Sequence, residues 1–164
     1  MRGSRNIPVL LYLSSSLLIF LYLILRAWKA PFVHDEAVTF FNYISYGRLL
    51  PFNDYTDANN HLLNTWLSWL FFRLFGSAPL ALRLANLLFF PLYAWYVWRL
   101  SERMAGPGLR YAYLMAMLGA SYFLEFFAYT RGYGMSMALL MMFLFHGLEY
   151  LRSPSARQLL WAAL

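Results

Sequence analysis

The sequence contains no cysteine, which excludes disulfide bonds, a thiolate nucleophile and a zinc site built on thiolates. Charged residues are also scarce: they make up 12% of the 164 residues, against about a quarter in a typical soluble domain. Hydrophobic residues make up 62%, and the mean hydropathy is +0.50. A soluble fold cannot bury so large an apolar fraction, so the composition predicts an integral membrane protein.

The formal net charge of +6 raises the question of an anionic partner. The 13 Lys and Arg residues are scattered around apolar segments and do not form a basic stripe with polar neighbours. This distribution favours binding to anionic lipid headgroups and argues against a nucleic acid partner.

Long apolar runs predict an all-α, polytopic membrane helix bundle. The first run, residues 7–28, matches a hydrocarbon core of about 30 Å. A secretory signal is the alternative, but the run is longer than a signal's apolar region and no small-residue cleavage site follows it. The further predicted spans are 79–100 with a kink at Pro91, 111–127, 133–151, and a fifth that starts at 158. Because the sequence ends inside this last apolar run, we expect it to be part of a larger polytopic protein.

The long segment between the first two spans predicts two juxtamembrane helices. Residues 36–49 alternate apolar and polar side chains at helical spacing, as in a helix lying at the interface. Residues 60–76 are apolar, but at 1.5 Å per residue they are too short to cross the bilayer comfortably. A tilted span here is the alternative, and it would invert every later loop.

The distribution of arginine predicts the orientation. With the N-terminus in the cytoplasm, the cytoplasmic ends collect most of the basic residues: Arg2, Arg5, Arg99, Arg103, Arg110, Arg152 and Arg157. The loop between the first two spans is acidic and would face the periplasm, the cell exterior or an organelle lumen. The predicted location is therefore a multi-pass position in a membrane, most simply a bacterial inner membrane.

Acidic residues are few, so their positions are informative. Asp35, Glu36, Asp54 and Asp57 lie in the loop after the first span, and Glu125 lies near the end of the third span, where an unpaired carboxylate is costly. Structural explanations remain open for each position. Asp35 and Glu36 suit the first turn of a helix, and Glu125 could form an ion pair with Arg131.

Three other polar positions also have ordinary structural explanations. Asn60 could cap the helix that follows it. His61 could lie at the interface with its ring nitrogens bonded to water, and Tyr133 could belong to the belt of aromatic residues at the membrane surface. The predicted topology nevertheless brings these residues, the carboxylates and Arg131 to one membrane face. Such a cluster could bind an anionic headgroup through arginine and hold an acceptor hydroxyl against a carboxylate.

The order of four segments resembles a known family. A first span followed by HDEAVTFF, then DYTDANNHLLNTWLSWLFFRLFG, ALRLANLLF and EFFAYTRGYGMSMALL, is similar to the N-terminal part of GT-C fold glycosyltransferases. These are the protein-mannosyltransferase-like enzymes that use polyprenyl-phosphate sugars. The resemblance covers roughly residues 5 to 160, and its most specific elements are the Asp-Glu pair and the Arg-Gly-Tyr motif at 131–133.

The resemblance implies a role for each matching residue. The catalytic positions are Asp35, as general base or orienter of the acceptor, and Glu36 beside it. Arg131 and Tyr133 would bind the donor phosphate. The supporting positions are Glu125, His61, Asn60 and Asp57.

The implied reaction transfers a sugar from a polyprenyl-phosphate donor to a hydroxyl of a protein or glycolipid acceptor on the non-cytoplasmic face. A divalent metal is an open question, with Asp35 and His61, or Asp57, as the available ligands. The alternatives are a transporter or flippase subunit, in which Glu125 and Arg131 line a substrate path, and a noncatalytic membrane scaffold.

Overall fold

The structure, a computed structural model, describes residues 6–50 and 60–163. Helices make up 80% of it, and the described residues contain no strand, which confirms the predicted all-α class. The helices are α1 Asn6–Lys29, α2 His34–Thr39, α3 Leu62–Phe75, α4 Pro79–Leu87, α5 Phe90–Ser101, α6 Pro107–Gly119, α7 Ser121–Glu125, α8 Tyr133–Arg152 and α9 Ala156–Ala163. A π-helical turn, Phe40–Ile44, continues α2, and a 3-10 turn, Phe126–Ala128, continues α7.

Three helical segments of the described chain are long and apolar enough to cross a membrane. They are Pro8–Lys29, Pro79–Ser101 and Tyr133–Arg152. A fourth candidate is the pair Pro107–Gly119 and Ser121–Ala128, which is bent by 48°. These segments lie where the sequence predicts spans, and α3, at 14 residues, is not among them.

Two predicted helices have different bounds in the structure. The helix expected over 36–49 ends at Ile44, because the chain turns at Gly47, whose φ of 65° is left-handed. The span expected over 111–127 is interrupted at Ala120, whose ψ of 78° is not helical. Hydropathy does not report the interruption at Ala120, since the sequence remains largely apolar through that change of direction.

The predicted interruption at Pro91 occurs just before that residue. Pro91 lies in the first turn of α5, where its missing N–H leaves the intrahelical bond to Leu87 unmade. The chain therefore passes from α4 to α5 through Leu88 and Phe89.

The surface of the bundle is apolar and part of its interior is polar, the reverse of a soluble protein. In α3 the buried residues include Asn64, Thr65 and Ser68, whereas Leu70 and Leu74 are exposed. The first candidate span, Pro8–Lys29, also has an exposed apolar surface, because only 11% of its most apolar window is buried. An apolar exterior over buried polar groups is the arrangement expected of helices surrounded by lipid.

The apolar core lies where α5 packs against α8 and the 3-10 turn. Phe90, Tyr93 and Phe127 are almost fully buried there, with their rings 5.2 to 6.2 Å apart. Ala138 of α8 is also fully buried and lets the two helices approach closely. This core fixes α8 relative to the turn that precedes it.

We predict that Gly134→Ala destabilises this packing, whereas Gly147→Ala in the same helix does not. A Cβ at Gly134 would lie 2.7 Å from Cδ1 and 3.0 Å from Cα of Phe127, but a Cβ at Gly147 would meet nothing within 4 Å. Both variants gain helix propensity, so the difference between them reflects the clash, about 1–3 kcal/mol. Thermal unfolding in detergent, followed by tryptophan fluorescence, measures it; equal midpoints for the two variants would contradict the packing.

Candidate functional site

A cleft of about 350 Å³ opens beyond the carboxyl end of α1. Its lining is Val33, His34, Asp35, Tyr122, Glu125, Phe126, Tyr129 and Arg131. We call it the Asp35 cleft. Three of the residues singled out in the sequence, Asp35, Glu125 and Arg131, meet in it, although they come from distant parts of the chain.

Asp35 and Arg131 form an ion pair across the cleft. Arg131 Nη2 lies 2.8 Å from Asp35 Oδ2, and the two side chains are 27% and 32% exposed. Asp35 lies in the first turn of α2, and Arg131 in the loop that precedes α8. A pair with this exposure is open to solvent and to a ligand.

Glu125 pairs with Arg26, so the ion pair with Arg131 considered from the sequence is not the one that forms. Arg26 Nε lies 3.6 Å from Glu125 Oε1, and Arg26 Nη2 donates to the Tyr129 hydroxyl at 2.9 Å. The cleft therefore has two carboxylates and two guanidinium groups at its edges. The two positive and two negative charges balance, so an anionic ligand must compete with a carboxylate for each arginine.

Glu36 lies in a different environment from its neighbour Asp35. It is fully buried, and Arg83 donates to it from Nε at 2.8 Å and from Nη2 at 2.5 Å. Thr130 N donates to Oε1 at 2.7 Å and Val33 N to Oε2 at 3.1 Å. The bond from Val33 caps α2, and Glu36 lies in the first turn of that helix, as the structural alternative predicts. A catalytic role for Glu36 stays a prediction, and its burial favours a structural role instead.

His61 and Tyr133 lie beside the cleft and are not among the residues that line it. Their rings meet edge to face at 4.8 Å, and the guanidinium of Arg131 lies 5.1 Å from the centre of the Tyr133 ring. Gly132 stands between Arg131 and Tyr133 in the sequence and has a φ of 69°. A Cβ at this position would lie 2.7 Å from His61 Cβ. The Arg-Gly-Tyr motif therefore needs glycine both for its conformation and for space.

Asn60 supports the start of α3. Its Oδ1 accepts a hydrogen bond from the Thr65 hydroxyl at 2.9 Å, so it braces the first turn without capping a backbone N–H. The remaining predicted position, Asp57, lies outside the described residues. Among the residues that are described, no group of three His, Asp or Glu side chains is arranged to hold a metal ion.

Sequence reasoning missed the residues that hold the Arg131 loop in place. Asn86 Nδ2 donates to Tyr129 O at 2.6 Å and to Asn64 Oδ1 at 3.1 Å, and its Oδ1 accepts from Met135 N at 3.0 Å. Asn86 and Arg83 are both fully buried in α4. Their signal was present, because an arginine and an asparagine inside an apolar span are costly unless they have partners.

No protein-family model, curated protein or solved structure matches this chain. The resemblance to GT-C glycosyltransferases therefore stays a prediction.

The environment of His61 favours its neutral form. Burial lowers the pKa of His61 below its ordinary value of 6.5, and the positive charge of Arg131 lowers it further. Because the unfolded chain takes up the proton first, the contribution of neutral His61 to stability is complete above about pH 6.5 and is lost as the pH falls below it.

We therefore predict that His61→Phe reduces the acid sensitivity of the fold. Phenylalanine keeps an aromatic edge against Tyr133 and cannot be protonated. The thermal midpoint of the unaltered chain should fall more than that of the variant between about pH 7.5 and pH 5.5. His34→Phe is the matched control, since the His34 side chain is exposed. Parallel pH profiles for the unaltered chain and His61→Phe would contradict the assignment.

Proposed function

We propose that the chain catalyses, as a membrane glycosyltransferase, the transfer of a sugar from a polyprenyl-phosphate donor to an acceptor hydroxyl at the Asp35 cleft. The observation that carries the proposal is the 2.8 Å contact between Asp35 and Arg131 at the end of an apolar span. A carboxylate and a guanidinium in one cleft are the two groups that such a transfer needs, one for the hydroxyl proton and one for the phosphate.

The reaction follows from these two groups. The acceptor oxygen attacks the anomeric carbon, and a new glycosidic C–O bond forms as the bond between that carbon and the phosphate oxygen breaks. The hydroxyl proton passes to Asp35, and the electron pair of the broken bond leaves with the lipid phosphate, whose charge Arg131 stabilises. The leaving phosphate needs a cation more than it needs a proton.

Donor binding would prepare the base. Arg131 neutralises Asp35 in the ion pair, so a donor phosphate that binds the guanidinium also frees the carboxylate. We propose that the donor binds first and that the acceptor hydroxyl then meets a carboxylate without its cation. Half-exposed ion pairs exchange readily because their net contribution to stability is small.

The position of the charges supports an enzyme over a transporter. Transporters bind substrate near the bilayer midplane at broken helices, whereas the Asp35 cleft lies where α1 ends and the chain leaves an apolar span. The opposite end of the bundle carries Arg103 and Arg152 around Glu149. By the positive-inside rule this second end is cytoplasmic, and the cleft faces outward.

We predict that Asp35→Asn lowers the rate of sugar transfer by at least about 100-fold, because the amide cannot accept the acceptor proton. The assay uses the chain in proteoliposomes with a polyprenyl-phosphate sugar as donor. Glu102→Gln is the matched control. Glu102 follows the end of α5, pairs with Arg99 and does not line the Asp35 cleft. An unchanged rate in Asp35→Asn would remove the catalytic assignment.

Binding of the donor phosphate should respond in opposite directions to changes at the two ends of the ion pair. Arg131→Gln loses the charge-assisted bonds, so the affinity for polyprenyl phosphate should fall by roughly 10- to 100-fold. Asp35→Asn removes the competing carboxylate and should tighten the same binding, while it slows transfer. Titration with polyprenyl phosphate in nanodiscs measures both, and weaker binding in Asp35→Asn would exclude the exchange.

A further inference from the structure

The end of α1, the loop that follows it and α2 all meet at one buried arginine of α4. Arg83 of α4 donates to Glu36 through two nitrogens, to Ala27 O at 2.8 Å and to Ala30 O and Pro31 O at 3.0 Å. Glu36 in turn accepts the N–H groups of Val33 and Thr130. We call these contacts the Arg83 network.

The Arg83 network uses the full bonding capacity of both charged groups. A guanidinium has five N–H donors, and each of the five has an acceptor here. A carboxylate has about four lone-pair sites, and Glu36 accepts four hydrogen bonds. Glu36 therefore has no free lone pair for a substrate proton.

The Arg83 network lies one residue away from the cleft ion pair on both chain segments. Glu36 follows Asp35, and Thr130 precedes Arg131, so adjacent Cα atoms are about 3.8 Å apart on each side. The 2.7 Å bond from Thr130 N to Glu36 Oε1 thus ties together the two backbones that carry Asp35 and Arg131. Arg83 and Glu36 are fully buried, whereas Asp35 and Arg131 are partly exposed.

We propose that Glu36 and Arg83 are positioning residues that set the separation of Asp35 and Arg131. Neither would touch substrate. As a statement about catalysis this inference rests on the proposed glycosyltransferase function, but the geometric part of it is independent of any reaction.

The geometry is tested by a cysteine pair across the cleft, at His34→Cys and Tyr129→Cys. The chain has no other cysteine, so a short bis-maleimide reports this one distance. In nanodiscs we expect Glu36→Gln or Arg83→Lys to slow cross-linking by about tenfold or more, since reaction within a chain depends steeply on orientation. Glu149→Gln, which removes a carboxylate paired with Arg103 instead, is the matched control and should leave the rate unchanged.

A double variant and a hydrogen-exchange measurement keep the proposal testable if the single variants fail to fold. The double variant Glu36→Leu with Arg83→Met removes both charges together, which a fold tolerates better than one unpaired buried charge. It should restore folding without restoring the cross-linking rate. In the unaltered chain, the Thr130 amide should be strongly protected from hydrogen exchange. Cross-linking at the parent rate in a folded variant, or rapid exchange at Thr130, would overturn the proposal.

Sugar transfer, measured on Glu36→Gln and Arg83→Lys without the cysteines, separates this inference from the proposed function. A positioning role predicts that kcat falls by about 100-fold with little change in KM for the acceptor, since a small displacement is that costly. If cross-linking depends on Glu36 and no variant or parent transfers sugar, the positioning inference stands and the glycosyltransferase function fails. If the parent transfers sugar and Glu36→Gln does not change the cross-linking rate, the glycosyltransferase function stands and the positioning inference fails.

Discussion

The ion pair of Arg83 and Glu36 is the interaction on which the rest of the structure depends. An α-helix leaves its last carbonyl groups without intrahelical partners, and in lipid no water is present to satisfy them. Ala27 and Ala30, at the end of α1, present such carbonyls, and Arg83 binds both. Removing one member of a buried pair costs about 3–5 kcal/mol because the other charge is left unpaired. Arg83 therefore supplies the hydrogen bonds that these carbonyl groups lack where the chain leaves α1 and turns into α2.

Buried polar groups also decide which helices pack together. The bundle has little hydrophobic driving force in lipid, since lipid tails are as apolar as leucine. The specific contacts are hydrogen bonds: Ser68 Oγ of α3 donates to Leu82 O of α4 at 3.0 Å, and Asn86 joins α4 to α3 and to α8. Such bonds require particular partners, whereas an apolar surface accepts any neighbour. The polar residues thus specify the fold, and the apolar ones make several helices long and apolar enough to cross a membrane.

The sequence locates the long apolar helices but not the ion pairs between them, for one physical reason. Span length depends on bilayer thickness, so a local window of hydropathy contains the answer. Pairings depend on how distant segments approach: Asp35 and Arg131 are correctly placed at one end, but Glu125 pairs with Arg26, which reads as part of the first span. Arg83 is overlooked for the same reason, because a single charge barely changes the hydropathy of a 23-residue span.

Two adjacent acids, Asp35 and Glu36, differ in burial and therefore in whether a ligand can reach their ion pairs. Asp35 and Glu36 are consecutive and each binds an arginine, yet Arg131 and Asp35 are partly exposed while Arg83 and Glu36 have no exposed side-chain surface. In the proposed function, a donor phosphate reaches Arg131 and displaces Asp35, because that pair is already open to solvent. The same phosphate cannot reach Arg83, since five protein acceptors already surround the guanidinium. The partly exposed pair therefore suits the substrate role proposed for it, and the buried pair suits the scaffold that would hold the exposed one in place.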